Sequence, residues 1–339
     1  MQTTGGSDGK AVEHVEPTER VALGKTSATV SRLGFGGTPL GNLFHATDES
    51  HLLAAVDRAW EAGLRYFDTA PQYGGGLAEI RLGRALQGRP RDDFVVSSKI
   101  GKLLVPTADG KAPAGIFEHG LAMDLAFDYT ADGVKRSIEA SLTRTGLDRL
   151  DVVLIHDVNR KYHGEARWER YAEARDGACK ALERLRAEGV IKAYGPALND
   201  VDVNLKFLAE ADIDCIMLPG RYTLLDRSAK PDLLAGCATR GVSVLIAGAF
   251  DSGILVTGAK PGATYNYQPA APEIMARVAG MEQACARHGV PLAAAALQFP
   301  LRHPAVASVV TGMRSPTEVD ANLAFMRTPV PEGLWRDLG

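Results

Sequence analysis

Residues 65–86 read RYFDTAPQYGGGLAEIRLGRAL. A short apolar run ends in an acid, a Gly-rich turn follows, and a stretch of helical period comes after it. That order is one strand–turn–helix unit. The same grammar recurs along the chain in both directions. Eight strands are expected, at Val30–Gly36, Arg65–Thr69, Phe94–Lys99, Asp151–His156, Ile191–Pro196, Cys215–Pro219, Ser243–Ala247 and Ala307–Thr311. Helix-period segments lie between them, among them Glu49–Ala62, Ala78–Gln87, Gly133–Thr145, Gly177–Glu188 and Ala229–Arg240. Gly63, Gly146, Gly189 and Gly241 stand where helix C-caps belong.

Strands alternating with helices imply a parallel sheet, and eight units without a composition break favour a closed barrel over an open sheet. The expected fold is α/β, a single-domain (β/α)8 TIM barrel over residues 18–339, behind a flexible tail of residues 1–17. Two connections are long, Ile100–Asp132 and Phe250–Pro304, the second with a further helix near Pro272–Arg287. Loops that follow strands build the C-terminal mouth of a barrel, where active sites sit. In the first, either the apolar Phe117, Met123 and Phe127 or the polar Glu118, His119 and Asp124 line a pocket, with a plain surface loop as the equal alternative for most of them. In the second, the run Tyr265–Tyr267 stacks on a sugar ring or packs the loop.

Composition narrows the partners. With 45% hydrophobic residues a sizeable core can form. A net charge of -3 gives no reason to expect nucleic acid or an anionic membrane surface. No run approaches the roughly 18 apolar residues of a membrane span, and the first 17 residues lack the apolar stretch of a secretory signal. The cysteines, Cys179, Cys215, Cys237 and Cys285, are scattered and read as reduced thiols. A cytoplasmic protein, monomeric or weakly homo-oligomeric, is expected to act on a small molecule.

Four polar residues stand at or just after strand ends: Asp68, Tyr73, Lys99 and His156. A charged group ending an apolar strand needs a partner. A lone residue of this kind reads as a satisfied rim residue, but three successive strands ending so gather all four at one mouth. A phenol has a pKa near 10, and a neighbouring ammonium lowers it, while Asp68 steadies Lys99. His156 can orient a substrate oxygen. The set suits carbonyl–alcohol interconversion, with the hydride left to a cofactor. No metal is expected, because His156 and the adjacent Asp157 should point to opposite faces of one strand.

FDTAPQYGGGLAEIRLGRAL (67–86), DVVLIHD (151–157) and the placement of Lys99 resemble the aldo-keto reductase superfamily, from about Val21 to the C-terminus. FDYTADGVKRSIEASLTRTGLDRLDVVLIHD (127–157), GRYTLLDR (220–227) and HGVPLAAAALQFPLRHPAV (288–306) are similar to its branch of L-fucose, D-threo-aldose and pyridoxal dehydrogenases. The resemblance implies Tyr73 as acid/base, with Asp68, Lys99 and His156 completing a tetrad. It implies that Asn199 holds the nicotinamide carboxamide and Tyr222 stacks on the ring, against core packing as the plain alternative for Tyr222. It places Gly248, Ala249, Phe250, Ser252, Gly253 and Leu255 over the pyrophosphate. Leu198 departs from the usual serine before Asn199, and strand six lacks its usual glutamine. The Gly34–Gly37 turn is not a dinucleotide fingerprint.

The segment VVTGMRSPTEVDAN (309–322) corresponds to the loop that binds the adenosine ribose, with Gly312, Arg314, Glu318 and Asn322 as its contacts. Glu318 near the 2′ position repels a phosphate and favours NAD over NADP. Arg314 is the counterweight, and an acid in a helix's first turn is also favourable on its own account. The implied reaction oxidises a cyclic hemiacetal to a lactone, the substrate being L-fucose, L-galactose, D-arabinose or pyridoxal. The alternatives are an NADPH-dependent aldehyde or ketone reductase and, more distantly, a non-catalytic nicotinamide-binding regulatory barrel.

Overall fold

The computed structural model describes residues 15–339. Eight parallel strands close into a barrel in chain order: β1 (Leu33–Gly36), β2 (Tyr66–Asp68), β3 (Val95–Ile100), β4 (Val152–His156), β5 (Ala193–Ala197), β6 (Cys215–Pro219), β7 (Ser243–Ala247) and β8 (Val306–Gly312). β8 pairs with β1 through Val309–Leu33 to Gly312–Gly36, and this closes the ring. The (β/α)8 expectation holds, in one domain.

Period-two alternation sorts the side chains. Tyr66, Val95, Val152 and Leu154 fill the barrel interior. Their neighbours Phe67, Val96, Val153 and Ile155 face the helical layer. Helix limits follow local chemistry. Asp48 caps Glu49–Glu61 by accepting from Ser50 N, and Thr130 caps Ala131–Thr145 by accepting from Gly133 N. The four expected cap glycines all have positive φ, from 66° at Gly146 to 93° at Gly63.

Three expectations need correcting. Val30–Gly36 is not one strand. Thr29–Ser31 pairs antiparallel with Arg20–Ala22 in a hairpin, and the chain turns at Arg32 before β1 begins. The cause is tertiary: Arg32 donates its N–H to Glu19 O and its guanidinium to Val306 O, while Leu23, Ala28 and Val30 fill the barrel floor. The connection after β3 contains a second antiparallel hairpin, Lys102–Pro106 with Met123–Phe127. Gly101 sets it off: its φ is +94°, and a Cβ there would lie 2.2 Å from the Tyr129 ring. Third, residues 15–17 of the expected tail are packed. Pro17 is buried, and Glu16 pairs with Arg327 at 2.9 Å. The rest of that tail, residues 1–14, lies outside the described residues. Cys179, Cys215, Cys237 and Cys285 are all buried and free, and no helix of the described residues is long and apolar enough to cross a membrane.

Candidate active site

Counting by twos from the interior residues Tyr66, Val95 and Val152 makes Asp68, Ser97, Lys99 and His156 face inward at the C-terminal ends of β2, β3 and β4. All four are buried, and Asp68, Lys99 and His156 are 3%, 2% and 8% exposed. Lys99 Nζ donates to Asp68 Oδ2 at 2.8 Å, to Oδ1 at 3.0 Å and to Thr69 O at 2.8 Å. Ser97 Oγ adds a bond to Asp68 Oδ1 at 2.6 Å. The carboxylate is thereby satisfied inside the barrel, as a buried charge must be.

Tyr73 comes from the turn after β2. Close backbone contact holds that turn: a Cβ on Gly41 would lie 2.6 Å from Tyr73 C, and one on Gly74 would lie 2.7 Å from Gly41 O. Lys99 Nζ is 4.9 Å from the centre of the Tyr73 ring, and the ring meets His156 edge-on at 6.4 Å. The structure therefore brings Asp68, Tyr73, Lys99 and His156 together. Glu79, from the same motif, does something else. Fully buried, it accepts from Ser98 Oγ at 2.7 Å and Arg144 Nε at 2.5 Å, tying its helix to β3 and to the helix Ala131–Thr145.

The electrostatics differ from the simple expectation for Tyr73. Burial raises the phenol above its ordinary pKa; Lys99 pulls it down, as do hydrogen bonds from Thr38 and Lys99, but burial prevails. For Lys99 the balance is reversed. Burial opposes the charge, yet Asp68 and Tyr73 together hold the ammonium above the usual lysine value. His156 is pushed well below the imidazole range by burial, then by Lys102 and Lys99, and is therefore neutral at neutral pH. A neutral ring can donate one hydrogen bond and accept another.

The expectation that Asp157 points away from His156 fails. Asp157 has φ +52°, so the strand's alternation stops at His156, and its Oδ2 lies 3.5 Å from His156 Nε2. Lys102, Gln72 and Tyr162 complete this corner and were not singled out from sequence. Lys102 Nζ donates to Asp157 Oδ2 and Gln72 Oε1, both at 2.5 Å, with Tyr162 against its other side. Burial lowers the pKa of Lys102 to about 8 against the pull of Asp157. A lysine three residues after Lys99, and a Gln just before Tyr73, were the available signals. Their significance depended on the hairpin, which sequence did not reveal.

The candidate cofactor residues divide. Asn199 reaches this corner, where its Oδ1 is 3.5 Å from Asn159 Nδ2, which also donates to Asp157 Oδ1 at 2.9 Å. The Gly248–Leu255 loop turns sharply, with positive φ at Gly248, Asp251, Ser252 and Gly253. A Cβ on Gly253 would meet nothing within 4 Å, and one on Gly248 would meet only Gly220 N at 3.7 Å, so this backbone is open to approach. In the same loop Ala249 and Leu255 are buried and Phe250 packs against the core. Asp251 is also buried; burial pushes its pKa to about 7. Tyr222 lies at the edge of the same region, in the segment after β6. Only 3% exposed, its ring packs on Phe299 at 5.1 Å and His303 at 5.9 Å.

Past β8, Gly312 ends the strand and Asn322 Nδ2 is 3.3 Å from Thr311 Oγ1. Glu318 Oε2 accepts from Arg314 N at 2.9 Å, and its other oxygen lies 3.9 Å from Arg314 Nε. The Arg314 guanidinium also contacts His45.

The mouth is rimmed by aromatic side chains. Phe117 lies 5.9 Å from Tyr73, and Phe44 lies 5.8 Å from Tyr267. The Tyr267 ring is half exposed, and its N–H donates to Ser252 Oγ within the loop after β7. A cavity of about 410 Å3 opens beside Gln72 and Tyr162, with Phe117, Met123 and Asp124 in its wall. Phe127 instead packs on His163 at 4.6 Å, and Glu118 accepts from Ala46 N.

Comparison with known proteins bears on the family and the fold. The sequence profile of the aldo/keto reductase family matches residues 32–337. The chain is 39% identical to a pyridoxal 4-dehydrogenase of Microbacterium luteolum, over 96% of this chain and 98% of that protein. It is 38% identical to a D-threo-aldose 1-dehydrogenase of a Pseudomonas species, over 94% and 95%. An aldo-keto reductase of Bacillus halodurans, solved in its holo form, superposes with a TM-score of 0.73 at 27% identity, covering 95% of each chain.

Proposed function

Because the chain belongs to the aldo/keto reductase family, an oxidoreductase family whose members bind nicotinamide cofactors, we propose that it oxidises a cyclic hemiacetal to a lactone and uses NAD. The substrate is an aldose such as L-fucose, L-galactose or D-arabinose, or the hemiacetal of pyridoxal. The observation that carries this reading is the inward-facing group of Asp68, Lys99, Tyr73 and His156 at one mouth of the barrel. The names of the two relatives, one acting on pyridoxal and one on aldoses, support the substrate class.

In this reading Tyr73 first releases its phenolic proton to solvent at the mouth, and the phenolate Oη then takes the proton of the anomeric hydroxyl. Lys99, kept charged by Asp68, stabilises that phenolate against the cost of its burial. His156, neutral, donates to a substrate oxygen and orients the anomeric carbon. The nicotinamide, when bound, supplies the hydride acceptor. Asn199, the bare backbone of Gly248–Leu255 and the Gly312–Asn322 segment are the residues that would hold the dinucleotide. The positive-φ backbone at Gly248 and Gly253 suits the close approach a pyrophosphate needs. Glu318 supports NAD over NADP, because its carboxylate already engages the Arg314 backbone and lies by its guanidinium.

Reduction of NAD and of NADP, followed by nicotinamide absorbance, tests the proposal with L-fucose, L-galactose, D-arabinose and pyridoxal. Turnover with NAD on one of them is the expected result. Silence across the panel, with NADPH oxidation by simple aldehydes, would replace it by a carbonyl reductase.

A further inference from the structure

Beside the four-residue group lies a second ion pair, a buried lysine on a partly exposed aspartate, that the proposed reaction leaves without a task. Lys102, 1% exposed, opens the hairpin after β3. It bonds Asp157 and Gln72, and its ammonium sits 3.7 Å from the centre of the Tyr162 ring. Gln72 in turn donates to Tyr162 Oη at 2.7 Å. Asn159 holds the other carboxylate oxygen of Asp157. Asp157 has a left-handed backbone, a conformation that Asp tolerates better than most L residues. Here it turns the carboxylate back toward His156 Nε2.

On the far side of the ring, His156 Nδ1 is buried with no hydrogen-bond partner. A neutral imidazole carries one N–H and one lone pair. With the lone pair at Nε2, it would face a carboxylate oxygen, and Nδ1–H would be an orphaned donor. With the proton at Nε2, the N–H meets the carboxylate and only a lone pair is bare. At 3.5 Å that contact is too long for a full hydrogen bond. The N–H is therefore oriented but not consumed, and an arriving oxygen can take it.

We infer that Lys102 and Asp157 are positioning residues that hold His156 as its Nε2–H tautomer, a hydrogen-bond donor for the substrate oxygen bound beside Tyr73. The inference rests on the reaction proposed above, which is what sets the substrate against His156. Other groups face the ring as well. Lys99 approaches from β3 with Asp68 behind it, Tyr73 lies edge-on, and Tyr129 Oη donates to His156 O at 2.9 Å. Burial first, then Lys102 and Lys99, keeps the imidazole neutral, so the choice of tautomer is a real one.

The test is a long-range proton–nitrogen correlation spectrum of the full chain labelled with nitrogen-15 histidine, recorded without substrate. The His156 signals are those lost in His156→Gln. The expected wild-type pattern is Nε2–H, held to pH values below the ordinary imidazole range. Asp157→Asn keeps the shape, removes the charge, and is expected to admit the Nδ1–H form. Lys102→Gln should let the ring protonate at higher pH, and Lys102→Arg should restore the wild-type response. An Nδ1–H pattern in the wild type, or an Asp157→Asn spectrum identical to the wild type's, would overturn the inference. If Asp157→Asn fails to fold, Asp157→Ser gives the same readout, and a spectrum identical to the wild type's there overturns the inference equally. The spectrum needs no substrate, so inactivity toward every hemiacetal would defeat the proposed reaction while leaving the tautomer assignment to stand or fall by itself.

Discussion

The ammonium of Lys99 straddles the carboxylate of Asp68, 2.8 Å from one oxygen and 3.0 Å from the other, with both side chains closed off from solvent. Neither charge is tolerable there without the other. Asp68→Asn leaves the ammonium buried with only neutral partners, a change that typically costs about 3–5 kcal/mol. Urea unfolding should register a loss of that order, together with a fall in turnover. An unchanged midpoint would mean that the pair is not confined as described.

Tyr73→Phe removes one oxygen and little else. Proton transfer by a positioned side chain contributes about 10²–10⁴-fold, so turnover should drop by at least that range. NAD affinity, read by fluorescence titration, should stay close to the wild-type value. A variant that still turned over at a tenth of the wild-type rate would remove Tyr73 from its proposed role.

His156 makes stability depend on pH in a direction that can be stated. Its folded-state pKa lies below the ordinary value of about 6.5. As pH falls below about 6.5 the unfolded chain takes up a proton that the folded ring refuses. Folding stability therefore declines toward acid, by up to about 1.4 kcal/mol per pH unit from this one group. Denaturant unfolding of wild type and His156→Gln across that range should show the gap moving in the variant's favour as pH drops.

Glu318→Gln keeps an acceptor for the Arg314 N–H but removes the negative charge beside its guanidinium. The ratio of NADP to NAD efficiency should rise by about tenfold, equivalent to about 1.4 kcal/mol. Paired steady-state assays with the two cofactors measure it directly. No change in the ratio would mean that Arg314 and Glu318 do not set the preference.

Much of the barrel was readable because its signal is local. In a strand such as DVVLIH alternate residues share a face, so the phase that puts Val152 and Leu154 in the barrel interior also points His156 inward. The closeness of Asp68, Lys99 and His156 follows from that phase and the order of the strands. What was not readable depended on contacts distant in sequence. Arg32 breaks an otherwise continuous strand because Glu19 and Val306 offer it carbonyls. The packing of Tyr222 on Phe299 and His303 joins residues some eighty positions apart, which no local pattern reveals. Asp157 defeated the period-two rule because a single left-handed residue is invisible in a strand pattern, though Asp is among the few side chains that tolerate it. Lys102 gained its meaning only once the hairpin folded it under Gln72 and Asp157.

The plugged floor of the barrel has an engineering consequence. Pro17 and the Arg20–Ser31 hairpin enter at the end opposite the mouth, where Leu33 N–H bonds Pro17 O. Whatever is fused ahead of residue 15 thus joins the molecule on the closed face. Tethering the protein to a bead or an electrode from that side would leave the mouth turned toward the solution, free for substrate to enter and product to leave.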